Sequence, residues 1–108
     1  MNLPTENDLR TASRDLLKVY KYAFDNPNEK LITSRKFGKM LGLEGRALGG
    51  VLAGSQKTNH TPIIVRQGMI KTSWAGKYES REQLWSINPA LPKGTLEMIK
   101  EVLKIMIL

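Results

Sequence analysis

Ser34-Arg35-Lys36-Phe37-Gly38-Lys39-Met40-Leu41-Gly42-Leu43-Glu44-Gly45-Arg46-Ala47-Leu48-Gly49-Gly50-Val51-Leu52 is the stretch on which the fold turns. Ser34 is placed to cap a helix of about two turns, with Phe37, Met40 and Leu41 on one face. Gly42 takes the positive φ that ends a helix sharply. A second helix is then expected from Glu44 to Ser55, with Ala47, Leu48, Val51 and Leu52 facing the core; fraying into a loop after Leu52 is the alternative. Gly45, Gly49, Gly50 and Gly54 make this helix intrinsically poor, since each interior glycine costs about 1 kcal/mol against alanine. Its other side, with Gly45, Arg46, Gly49, Gly50, Ala53 and Gly54, lacks bulk, so another backbone could approach it closely.

Upstream, Thr5 is placed to cap a helix, with Asp8 in the capping-box position and acidic residues suiting the helix dipole. Leu9, Ala12, Leu16, Leu17, Tyr20, Ala23 and Phe24 recur at helical spacing, which predicts one helix over residues 6–24. Arg10, Arg14, Lys18 and Lys21 would form a basic stripe on its far side. The Asp25-Asn26-Pro27-Asn28 break leads to Leu31-Ile32-Thr33, a short strand.

Downstream, Gln56 to Thr61 is polar and turn-forming, and Ile63 to Trp74 is extended in character with a bulge or turn at Gly68. Residues 75–80 read as a loop and 81–87 as a returning strand anchored by Leu84, Trp85 and Ile87. The pair forms a hairpin with a basic tip, ended by Asn88-Pro89. Trp85 is expected to pack in the core, while Trp74 and Tyr78 could stack on bases or close a small core. Residues 95–108 form an apolar helix with one seam of Leu96, Ile99, Leu103 and Met106 and a second of Met98, Val102 and Ile105. That arc is wide enough to pack on this chain or to meet a second subunit.

The 108 residues suit one domain, and no segment has the roughly 20 apolar residues of a membrane span. The absence of cysteine excludes disulfides, thiolate nucleophiles and cysteine-based metal sites. A single histidine, His60, in a polar loop reads as a surface or turn residue, and no metal or cofactor is expected. The N-terminus lacks the signature of a signal peptide, so a cytoplasmic location is expected. Seventeen basic and ten acidic residues give a net charge of +7 and a pI near 9.9. Residues 30–81 hold ten of the basic residues against only Glu44 and Glu79, so the electrostatic footprint lies in the middle of the chain. With so few acids and no grouping of serine, histidine and carboxylate, no enzymatic activity is expected.

Helix, short strand, helix, glycine turn, helix, strand, hairpin, strand resembles the order of a winged helix-turn-helix domain. Residues 34–52 carry the resemblance, and the closing Gln83-Leu84-Trp85-Ser86-Ile87-Asn88-Pro89 looks like the strand after its wing. The resemblance implies an α+β fold with three N-terminal helices, a small antiparallel sheet with a β-hairpin wing, and an added C-terminal helix. The winged domain would cover residues 1–90 and the terminal helix 91–108.

Such a domain would set its third helix in the major groove of double-stranded DNA and its wing along phosphates or in the adjacent minor groove. Ser34, Arg35, Lys36 and Lys39 would then meet the backbone. Arg46 would pair with guanine, with Gly45, Gly49 and Gly50 letting the helix sit deep. Gln56, Lys57, Thr58 and Asn59 could hold phosphates or reach a base, and Arg66, Lys71, Thr72 and Lys77 would belong to the wing. The expectation is a non-catalytic DNA-binding regulator of transcription or nucleoid structure, dimeric through its terminal helices. The alternative is an interaction module whose glycine face receives an acidic or helical protein partner.

Overall fold

The computed structural model describes residues 2–74 and 78–108, with side chains described for 2–71 and 82–108. It is an α+β fold of five helices and one three-stranded antiparallel sheet. In chain order these are α1 (Glu6–Thr11), α2 (Arg14–Asp25), β1 (Ile32–Thr33), α3 (Ser34–Leu41), α4 (Gly45–Gly54), β2 (Ile64–Trp74), β3 (Tyr78–Ile87) and α5 (Lys93–Ile105).

The capping box at Thr5 forms as expected: Asp8 N–H donates to Thr5 Oγ1 at 3.3 Å and Thr5 N–H to Asp8 Oδ2 at 2.7 Å. The backbone hydrogen bond from Thr5 holds the Asp8 carboxyl below its ordinary pKa. The single helix expected over residues 6–24 is two helices, making four before the hairpin rather than three. Ala12 and Ser13 are extended, with ψ of 154° and 152°, and Ser13 Oγ accepts the Leu16 N–H at 3.2 Å. The cause is local: Thr11 turns its hydroxyl back onto the Asn7 carbonyl at 2.9 Å, and Ser13 forms a cap, both competing with a continuous ladder. The break also separates Arg10 from the expected basic stripe, whose other members, Arg14, Lys18 and Lys21, stay together on α2. Arg10 belongs to α1 and pairs with Glu6 at 2.8 Å, while Lys21 on α2 pairs with Asp25 at 3.3 Å.

Thr33, rather than Ser34, is the N-cap of α3; its Oγ1 accepts the Lys36 N–H at 3.3 Å. The helix ends at Gly42, φ 68°, where Gly42 N–H meets the Lys39 carbonyl and Leu43 N–H the Gly38 carbonyl at 3.0 Å, a Schellman closure. The chain then turns straight into α4, and α3 lies close against that turn because residue 38 is glycine. A Cβ there would stand 2.9 Å from both the Leu43 carbonyl oxygen and Leu48 Cδ2.

The α4 helix runs on through Gly54 instead of fraying after Leu52. Ser55, fully buried, receives the helix end by bonding the Val51 and Leu52 carbonyls, and Gln56 Nε2 ties the exit to the Ile64 carbonyl at 2.8 Å.

In the sheet the order is β1-β3-β2, and β1 pairs with β3 only at Ile32↔Trp85 and Thr33↔Leu84. The bulge foreseen at Gly68 is present as a register shift between Arg66 and Gly68. The β3 strand starts at Tyr78, earlier than the expected residue 81, so less of 75–80 is loop than the sequence suggested. At about 3.3 Å per residue, the hairpin projects well past the body and accounts for the elongated 46 × 25 × 25 Å envelope. Asn88 closes the base: its N–H bonds the Ile63 carbonyl and its Nδ2 the Pro62 carbonyl, both at 2.9 Å.

The core joins Leu9, Leu17, Val19 and Tyr20 from the first two helices to Phe37, Leu52, Ile64 and Trp85. Burial pushes the Tyr20 hydroxyl pKa up. The α5 helix begins two residues earlier than expected and ends at Ile105. It packs on α1 and α2 through buried Ile99, Val102 and Leu103, leaving Ile105 and Ile107 outside. No described helix is long and apolar enough to cross a membrane.

Gly38→Ala is expected to destabilise the fold by about 2 kcal/mol, because the overlap involves backbone that must shift. Chemical denaturation of the two proteins checks this.

Candidate nucleic-acid interface

Two depressions that share Ser34, Gly45 and Leu48 run as one concave strip across α3, α4 and the hairpin base. Gly49, Ala53, Gln56 and Lys57 form one wall of its first part. Val65, Arg66, Gln83 and Trp85 stand across from them. Arg35, Lys39, Glu44 and Glu82 surround the second part.

The strip brings together Ser34, Arg35, Lys39, Gly45, Gly49, Gln56, Lys57 and Arg66, while Arg46 and Gly50 lie outside its lining and Thr58 and Asn59 line a separate depression beside α1 and α2. Arg35, Lys39, Gly45, Arg46, Gly49, Gly50, Lys57, Asn59 and Arg66 are all exposed. Ser34, half-buried in the first turn of α3, lines both depressions. Lys71 is exposed farther along β2. The side chain of Thr72 and the whole of Lys77 lie outside the described residues, as do the side chains of Trp74 and Tyr78.

Lys36, Gln56 and Thr58 are among the predicted contacts that are engaged within the chain. Lys36 Nζ pairs with Glu29 Oε1, and Tyr22 donates its hydroxyl to the other oxygen of Glu29 at 2.9 Å. The hydrogen bond from Lys36, aided by Tyr22, holds the Glu29 pKa below the ordinary carboxylate value. The same bond raises that of Lys36. Gln56 donates to Ser55 Oγ at 2.9 Å as well as to the Ile64 carbonyl. Thr58 Oγ1 donates to the His60 carbonyl at 2.8 Å. His60 itself is buried rather than on the surface, its Nδ1 2.9 Å from the Thr61 carbonyl.

What sequence reasoning missed is the pair of acids that border the basic stretch. Glu29 precedes it and folds back on Lys36. Glu82 follows it, is only 9% exposed, and accepts the Arg35 N–H at 2.8 Å across 47 residues. No local pattern marks that second contact. Trp85, correctly expected in the core, is the strip's apolar floor. Its indole N–H is buried without a partner, the only such side-chain atom among the described residues.

The glycines of α4 stand apart from Gly38. A Cβ built on Gly49, Gly50 or Gly54 meets nothing within 4 Å, so packing inside this chain asks for no glycine at these positions. Between the helix and the hairpin the strip therefore offers a surface without bulk on one side, with Arg35, Lys39, Lys57 and Arg66 and the two acids Glu44 and Glu82 around it. The balance is a net excess of positive charge, and among the described residues that line it no nucleophile stands beside a base. Comparison with known protein families, characterised proteins and solved structures finds no match to this chain.

The Lys36–Glu29 pair is directly testable. In Lys36→Ala the Glu29 carboxyl should titrate at higher pH than in the parent, moving back toward the ordinary value. Carbon-detected NMR titration of the glutamate carboxyls checks this; an unmoved Glu29 would mean that the pair does not hold in solution.

Proposed function

We propose that this chain is a non-catalytic double-stranded-DNA-binding module of the winged helix-turn-helix type, acting in transcriptional or nucleoid regulation. Its α4 helix would lie in the major groove and its hairpin along the phosphates. The observation that carries the reading is the glycine face of α4. At Gly49, Gly50 and Gly54 it is open and weakens the helix, and no neighbour within the chain requires it, whereas Gly45 answers to its left-handed φ of 55°. Arg46 on the same helix and Arg35, Lys39, Lys57 and Arg66 along the adjoining strip are exposed. Supporting it are the strand order β1-β3-β2 and the two helices joined at Gly42.

The composition of α4 also bears on specificity. Within the helix Arg46 is the one side chain long enough to reach a base edge. Base reading would rest on a single bidentate contact to guanine, worth about 1–3 kcal/mol, with most of the affinity coming from phosphates. Arg46→Ala should therefore weaken binding and flatten sequence preference. Lys57→Ala should weaken all sequences alike and reduce the log–log salt slope by about 1. Titrations against a random duplex, a single strand and an RNA hairpin at two salt concentrations decide the matter. Duplex binding that falls steeply with salt is expected; no duplex binding by folded protein at low salt would overturn the reading.

Gly45, Gly49 and Ala53 recur every four residues, which favours as a second reading a protein helix seated on the same face. The two readings part in the salt titration, since only DNA displaces condensed counterions in proportion to the phosphates neutralised.

Gly49→Ala and Gly50→Ala test the glycine face itself. Each should raise stability by about 0.5–1 kcal/mol, because the new methyl meets open space and the helix gains propensity. Each should also weaken duplex binding roughly tenfold, about 1.4 kcal/mol. Thermal denaturation and a fluorescence anisotropy titration on the same samples check both.

A further inference from the structure

Glu82 is a buried carboxylate at the positive end of α3, in a strip that otherwise carries an excess of cations. It lines the strip beside Arg35 and Lys39 and opposes any anion that approaches. Its side chain is nonetheless more than nine-tenths buried, with Oε1 fixed on the Arg35 N–H at 2.8 Å.

Its position along β3 gives the reason. The β3 strand pairs with β1 only at Trp85 and Leu84, and Glu82 stands two residues farther out, opposite Ile70 of β2. At this level the hairpin is already leaving the body: Ile70, and Met69 opposite Gln83, are exposed. The β3 strand packs on α3, whereas α4 packs mainly on α2. The two walls of the strip thus stand on different supports, the hairpin base on α3 and α4 on α2, with α2 and α3 packed on each other, so a tie between hairpin and α3 bears on the spacing of the walls. The Glu82–Arg35 bond is the outermost tie between hairpin and α3 that involves a described side chain.

We propose that Glu82 is the positioning residue of the interface: a buried carboxylate that locks the hairpin to the first turn of α3 and so sets the angle between hairpin and α4. The consequence for DNA rests on the reading above; the locking itself does not. With the angle fixed, the hairpin and α4 engage one duplex together, and their phosphate contacts belong to a single binding event. Glu82→Gln keeps an oxygen that accepts the Arg35 N–H, while Glu82→Ala removes the acceptor and frees the hairpin.

The chain has no cysteine, so a pair of nitroxide labels is easily introduced. Ser73→Cys on β2, three positions past the Ile70–Glu82 pair, and Lys100→Cys on α5 give an inter-label distance measurable by pulsed electron paramagnetic resonance. The expected result is a narrow distribution in the parent and in Glu82→Gln, and a broadened or displaced one in Glu82→Ala. Equal distributions in the parent and Glu82→Ala, or the same broadening in both variants, would overturn the proposal. In parallel, Glu82→Ala should bind duplex about tenfold more weakly, its salt slope shallower by about one for each phosphate that the hairpin no longer neutralises. Glu82→Gln should bind at least as well as the parent. Parent-like affinity and slope in Glu82→Ala would likewise refute the positioning role. Absence of duplex binding in the parent would reject the DNA reading instead, leaving the distance measurement to judge the lock alone.

Discussion

The close approach of α3 to the turn that follows it depends on one missing atom, the Cβ of residue 38. Leu48 and the Leu43 carbonyl fill the space where that carbon would stand. Because they do, the Leu48 side chain and the turn after α3 seat directly on the α3 backbone, and two left-handed glycines, Gly42 and Gly45, turn the chain into α4. The consequence is directional. With Leu48 drawn toward α3 and Leu52 into the core, the Gly49 and Gly50 side of α4 faces outward. The cationic residues of α3 and the hairpin base then lie on the same side as that face.

Electrostatic order follows from two acids at the margins of the basic stretch. Glu29 takes up Lys36, so one cation that composition assigns to the surface is tethered inside the chain. Glu82 closes the first turn of α3, whose N–H groups carry the positive end of the helix dipole. Both choices lower the anion affinity of α3 itself. The exposed charge along the strip is carried by Arg35, Lys39, Lys57 and Arg66 against Glu44, distributed along its length rather than concentrated at one helix end, with Arg46 exposed on α4 outside the lining.

Much of the architecture was legible in the sequence because local chemistry decides it. The Thr5 and Asp8 cap, the Gly42 turn, the Gly68 bulge and the Asn88-Pro89 stop each depend on residues within a few positions. The break at Ala12–Ser13 escaped because apolar spacing continues across it: Leu9 and Leu16 both reach the core, so periodicity does not reveal an interruption that two hydroxyl side chains impose. The candidate interface was legible as a list of cations but not as a geometry. Lys36 looked no different from Lys39 in sequence, since its partner Glu29 lies beyond a proline turn. The Arg35–Glu82 contact joins residues 47 apart and has no local signature.

The central claim is that the glycine face of α4 and the cationic strip beside it form one surface for duplex DNA. The most direct test is a map of backbone amide shifts in labelled protein as a short duplex is added at low salt. The account predicts that perturbations gather on Arg35, Arg46, Gly49, Gly50, Lys57 and Arg66 and leave Ile99 and Val102 of α5 unmoved. Perturbations concentrated on α5, or a spectrum that duplex leaves unchanged, would contradict it.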